Sequence, residues 1–149
     1  MLTAIIVAAG SSRRMGSDKL FEIMAGKPVI AHTIDAFELA DSVGEIIVVT
    51  RDDRCNEIRK LTCNQSFKKV RAIIAGGERR QDSVRAGLEN LRRDARYIAV
   101  HDAARPLVRP EQIERVFEQC RVHGAAALAE PINDTLKRAD IGHANAANL

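Results

Sequence analysis

Residues 4–19 read Ala4-Ile5-Ile6-Val7-Ala8-Ala9-Gly10-Ser11-Ser12-Arg13-Arg14-Met15-Gly16-Ser17-Asp18-Lys19. An unbroken apolar run gives way at once to small residues and three cations. Residues 3–9 are expected to form a buried strand, and the segment after it a loop suited to a polyphosphate. Gly10, Ser11 and Ser12 let a ligand approach the backbone and offer N–H groups to anionic oxygens, while Arg13, Arg14 and Lys19 supply positive charge. No Gly-Lys-Ser/Thr follows a four-residue gap, so the loop is not a Walker A motif. The G-x-G-x-x-G spacing of a dinucleotide fingerprint is also missing. The competing reading is a surface turn with solvated arginines.

Working outward, strands and helices alternate. A helix is expected over 28–42, with Pro28 in its first turn and Ile30, Ile34 and Phe37 on one face. Further strands are expected at 45–50, 70–75, 97–100 and, short, at Ala125–Ala129. Helices are expected at 53–61, at 80–92 with Val84, Leu88 and Leu91 aligned, and at 110–123. The last carries Ile113, Val116, Phe117 and Cys120 on one face, which predicts a core position for Cys120. Apolar strands alternating with amphipathic helices imply a mostly parallel, three-layer α/β sheet with helices on both faces. Ligands in such sheets bind beyond the carboxyl ends of the strands. Residues 139–149 are rich in Ala and Asn without periodicity and read as a poorly ordered tail or the start of an arm, leaving 1–138 as the domain.

Composition narrows the class. The 149 residues are 46% hydrophobic and 29% charged, as in a globular α/β domain. Aromatics are 3% and Trp is absent, which argues against stacking on single-stranded nucleic acid. A net charge of +3 with mixed signs is compatible with small anions and too weak to argue for DNA or a membrane surface. Cys55, Cys63 and Cys120 form no zinc or disulfide pattern, and no apolar run reaches transmembrane length. A cytoplasmic location is expected.

Three more clusters carry chemistry. In Gly76-Gly77-Glu78-Arg79-Arg80-Gln81-Asp82-Ser83, a glycine turn enters a helix whose N-terminus attracts anions, and Ser83 can hydrogen-bond a base or sugar. The alternative is an ordinary turn capped by Asp82 or Ser83. In His101-Asp102-Ala103-Ala104-Arg105-Pro106, Asp102 ends a strand where it can hold Mg²⁺ together with phosphate oxygens, and Arg105 can pair with a carboxylate or phosphate. The alternative is an Asp102–Arg105 pair that braces the loop. His101 reads as structural. Pro131-Ile132-Asn133-Asp134-Thr135-Leu136-Lys137-Arg138 joins a hydroxyl to two cations, as a solvated edge strand also would.

Taken in order, these motifs resemble the 2-C-methyl-D-erythritol 4-phosphate cytidylyltransferase family, from residue 3 to about 138. The resemblance implies a Rossmann-like nucleotidyltransferase. It would transfer CMP from CTP, with Mg²⁺, to a polyol phosphate and release pyrophosphate. Arg14 and Lys19 match the two cations at the pentavalent centre. Ala8, Ala9, Gly10, Ser12, Gly77, Glu78 and Ser83 match positions around the nucleotide. Asp102 matches a metal- and substrate-binding acid, and Arg105 and Thr135 fall with it on the acceptor side. The family supplies the Thr135 contact from a neighbouring subunit, which implies a homodimer, with no nucleic acid or membrane partner.

Two departures accompany the resemblance. The family loop usually reads Pro-Lys-Gln and is longer, whereas Asp18-Lys19-Leu20-Phe21 resembles the molybdopterin cytidylyltransferases. Other acceptors, ribitol phosphate or molybdopterin, therefore stay open. Family members also continue roughly half as much again, still within one domain's size. The downstream part would hold the arm's second strand, an acceptor-binding Arg and Lys, and the closing strands of the sheet. The expectation is a chain lacking its C-terminal part, weakly active or inactive alone, either as a fragment or as a nucleotide-binding remnant.

Overall fold

The computed structural model describes residues 1–10 and 18–131. Strand β1 (Leu2–Ala8) leads to a hairpin of β2 (Ile23–Met24) and β3 (Lys27–Pro28), then α1 (Val29–Leu39) and β4 (Val43–Thr50). A 3₁₀ turn at Asp52–Arg54 precedes α2 (Cys55–Asn64). Then come β5 (Val70–Ala75), α3 (Arg80–Glu89), β6 (Tyr97–Asp102) and α4 (Pro110–His123). The main sheet has the order β5-β4-β1-β6, and every pairing is parallel. The chain winds outward from β1 through β4 to β5, then crosses back to place β6 on the other side of β1. That reversal leaves a crevice at the carboxyl ends of β1 and β6.

The central strands are buried on both faces, as their unbroken apolar sequence requires. Ala4, Ile6, Ile46 and Val48 face a core shared with Ile30, Ile34 and Phe37 of α1, Ile58 of α2 and Ile113 of α4. Ile5, Ile47 and Val49 face the opposite layer, against Ala86 of α3 and Leu91 just beyond it. The expected three layers are thus present. No helix among the described residues is long and apolar enough to cross a membrane.

Helix α3 packs by a different face from the one Leu88 predicts. Leu88 is 43% exposed, and the buried residues of α3 are Ser83 and Gly87. A Cβ on Gly87 would stand 2.6 Å from Ile5 Cγ2, so the absent side chain lets the helix lie against β1. Gly87→Ala is expected to overpack this contact and cost about 1–3 kcal/mol. Urea denaturation of the parent and the variant checks it.

Two other expectations are corrected. Residues 125–129 form no strand and are exposed throughout. Four of the five are alanines, with little β propensity and little apolar area to hold a ladder against the edge of β6. Cys120 is half-buried, with its Sγ 3.5 Å from the Gly124 carbonyl oxygen, because α4 turns only Ile113 fully into the core. The hairpin was not expected. Ala25 and Gly26 take φ of 47° and 88°, the left-handed pair of a tight two-residue turn.

Candidate active site

The crevice at the ends of β1 and β6 is a cavity of about 380 Å³. Three loops form it. Val7 to Gly10 close one wall as β1 ends, Gly77 to Arg80 with Ser83 close a second, and Asp102, Ala104 and Arg105 close a third. Lys19 and Leu20 complete the rim. Ala8, Ala9, Gly10, Lys19, Gly77, Glu78, Ser83, Asp102 and Arg105 thus line one space. Ser12, Arg14 and Thr135 lie outside the described residues.

The loops are fixed from beneath by the sheet and helices. Gly76 N donates to Thr50 O at 2.7 Å as β5 ends, and Ala103 N donates to Val7 O at 2.9 Å. The fully buried Thr33 hydroxyl donates to Ala103 O at 2.8 Å, tying α1 to the loop of Asp102. Leu20 is buried, and its carbonyl accepts from Ile30 N at 3.0 Å.

The glycines do different work. A Cβ on Gly76 would press on Ser83 Oγ at 2.5 Å and Ala9 Cβ at 2.9 Å, so the first two walls meet there. A Cβ on Gly77 would collide with Asp82 Cβ, and Asp82 closes the start of α3 by accepting from Arg79 N at 3.2 Å. A Cβ on Gly10 meets nothing within 4 Å among the described residues, and its φ is not in the left-handed region. Its missing side chain leaves space in the cavity itself.

Charge collects at the third wall. Asp102 Oδ1 accepts from Arg80 Nε at 2.9 Å and lies 2.8 Å from Arg80 Nη2, while Oδ2 is 3.2 Å from Arg105 Nε. The Asp102–Arg105 brace is thus real. Arg80 is the participant the sequence reading missed, because its partner acid lies 22 positions downstream. His101 is structural. Burial holds its pKa below the ordinary histidine value, its ring packs on Phe37 with centroids 5.0 Å apart, and its Nε2 lies 3.2 Å from Arg105 O. A proton on Nε2 makes the ring a donor to that carbonyl. Ser83 is 1% exposed, and its Oγ lies 3.4 Å from both Gly77 O and Arg79 O. It braces the glycine loop at least as directly as it faces the cavity.

No group of three His, Cys, Asp or Glu side chains able to hold a metal occurs among the described residues. Among the described residues Asp102 therefore lacks the companions of an all-protein cage. It suits Mg²⁺, which keeps its waters and takes further oxygens from a polyphosphate.

A family model for 2-C-methyl-D-erythritol 4-phosphate cytidylyltransferase matches residues 2–147. The chain belongs to this family. It is 45% identical over 135 residues to the 2-C-methyl-D-erythritol 4-phosphate cytidylyltransferase of Dehalococcoides mccartyi (strain CBDB1), an alignment covering 90% of this chain and 59% of that protein. The chain thus spans about three-fifths of the length of the curated relatives it matches. A crystal structure of 4-diphosphocytidyl-2C-methyl-D-erythritol synthase superposes with a TM-score of 0.74 at 31% identity, over 95% of this chain and 64% of that one. The corresponding synthase from Anaerococcus prevotii gives a TM-score of 0.70 at 28% identity, over 80% and 50%.

Proposed function

We propose that this cavity binds CTP with Mg²⁺ and that the whole protein transfers the cytidylyl group to 2-C-methyl-D-erythritol 4-phosphate. The observation that carries the reading is the meeting of Lys19, the open wall at Gly10 and the Arg80–Asp102–Arg105 cluster at one crevice, in a chain of this family.

In the proposed reaction an oxygen of the acceptor's phosphate forms a bond to the α-phosphorus of CTP. The bond from that phosphorus to the α–β bridging oxygen breaks, and its electron pair leaves with pyrophosphate. Such a transfer needs alignment and charge neutralisation more than covalent help from the protein. Lys19 and Arg14 are assigned to the charge developing around the α-phosphorus. Ala8, Ala9, Gly10 and Ser12 present backbone to the phosphates, and Gly77, Glu78 and Ser83 flank the nucleoside. Asp102 would hold Mg²⁺, which would supply further neutralisation of the polyphosphate. Arg105 and Thr135 are assigned to the acceptor, with Thr135 reaching it across a homodimer. Asp102 is paired with Arg80 and Arg105, and its two oxygens keep further lone pairs for an ion. The three free thiols suit a reducing, cytoplasmic setting.

Acceptor choice is tested by pyrophosphate release with methylerythritol phosphate, ribitol phosphate and molybdopterin in parallel. The assay uses this chain lengthened by the downstream region of the Dehalococcoides mccartyi relative. Methylerythritol phosphate is expected to react fastest, and a preference for either competitor would overturn the assignment. A CTP titration on the same sample separates a wrong acceptor from a protein that does not bind nucleotide.

A further inference from the structure

The backbone that carries Lys19 is clamped by residues outside the cavity. Asp18 Oδ2 lies 3.5 Å from Arg51 Nη2 and 3.3 Å from Arg54 Nη2, and the Asp18 side chain is 15% exposed. Arg51 directly follows β4, and Arg54 ends the 3₁₀ turn before α2. Arg51 is itself oriented by Asp53, whose carboxylate accepts from its Nε at 3.1 Å and its Nη2 at 3.2 Å. The Arg54 guanidinium also lies over the Phe21 ring, 5.1 Å from its centroid. Within the segment, Asp18 O accepts from Phe21 N at 2.9 Å. Residues 18–21 are thus folded into one turn, held at Asp18 and Phe21 by two arginines and at Leu20 by the core. Lys19, on the same turn, is left exposed at the cavity rim.

We propose that Asp18 is a positioning residue for Lys19. Docked on Arg51 and Arg54, it fixes the turn from which the ammonium reaches the phosphates. The same pairing removes a problem that the sequence creates. An unpaired carboxylate next to a phosphate-binding lysine would repel the ligand, and the two guanidinium groups neutralise it. The two arginines hold Asp18 near the end of β4 and neutralise it beside Lys19. The nucleotide part of the inference rests on the CTP reading, whereas the clamp itself does not.

Two measurements on Asp18→Ala and Asp18→Asn decide it. The first is hydrogen exchange of the peptide covering residues 18–24 in the ligand-free protein. Both variants are expected to exchange faster there, with β1 and β4 unchanged. Unchanged protection at 18–24 overturns the clamp whether or not CTP binds. The second is calorimetric titration with CTP in a four-protein cycle. Asp18→Ala should weaken binding roughly 3- to 10-fold when Lys19 is present and scarcely at all in a Lys19→Ala background. Asp18→Glu, which keeps the charge, should recover part of the loss. Equal losses in both backgrounds would show that Asp18 does not act through Lys19. If the parent protein binds no CTP, the nucleotide reading falls and the exchange result still settles the clamp.

Discussion

A Lys19→Ala variant is expected to bind CTP roughly 10- to 100-fold more weakly than the parent, the loss of one charge-assisted contact worth about 1.5–3 kcal/mol. Lys19 is exposed at the cavity rim, so its removal should leave the unfolding midpoint nearly unchanged. A binding loss without a stability loss distinguishes a ligand contact from a fold contact. Part of the parent's affinity should also disappear as salt rises, because an exposed ammonium is screened by mobile ions. Calorimetric titration at two salt concentrations reads both effects. Equal affinity of parent and variant would remove Lys19 from the site.

The reverse separation is expected at Ile6. This side chain is fully buried at the centre of β1, in the core shared with α1, α2 and α4. Ile6→Ala should cost about 2–5 kcal/mol, from lost apolar transfer and the cavity left behind, and Ile6→Val about 0.5–1.5 kcal/mol. Against a total stability of roughly 5–15 kcal/mol for a domain, the larger change moves the chain close to unfolding. Urea titration should show a lower midpoint with an unchanged slope. A loss below about 1 kcal/mol for Ile6→Ala would mean that the layer over β1 is less closely packed than its burial indicates.

The alternation of elements was readable because parallel strands buried on both faces need continuous apolar runs. The strand expected at 70–75 is β5 residue for residue, those expected at 3–9, 45–50 and 97–100 differ by one or two residues at their ends, and the one expected at 125–129 did not form. Two kinds of feature escaped the sequence. One is close approach. Leu88 suggested the wrong face of α3 because Gly87, which carries no apolar signal, is what permits contact with β1. The other is long-range charge. Asp18 and Arg51 are 33 positions apart, and Arg80 and Asp102 are 22, so no local spacing reveals either pair. The hairpin carried one sequence signal, Gly26, which favours the left-handed position of a two-residue turn. Most cavity residues were legible because they lie at or just beyond a strand's carboxyl end, and the winding order of the sheet brings those ends together.

Gly10 lines the cavity, Gly76 comes just before its second wall, and the two answer to different masters. The protein's own atoms forbid a side chain at Gly76, where Ser83 and Ala9 already fill the space, and none of the described ones forbids it at Gly10. Under selection for folding alone, Gly10 would be free to drift and Gly76 would not. In a population of variants retained only for solubility, substitutions accumulating at position 10 while position 76 stays glycine would record that the nucleotide, and not the fold, had been keeping the first of them.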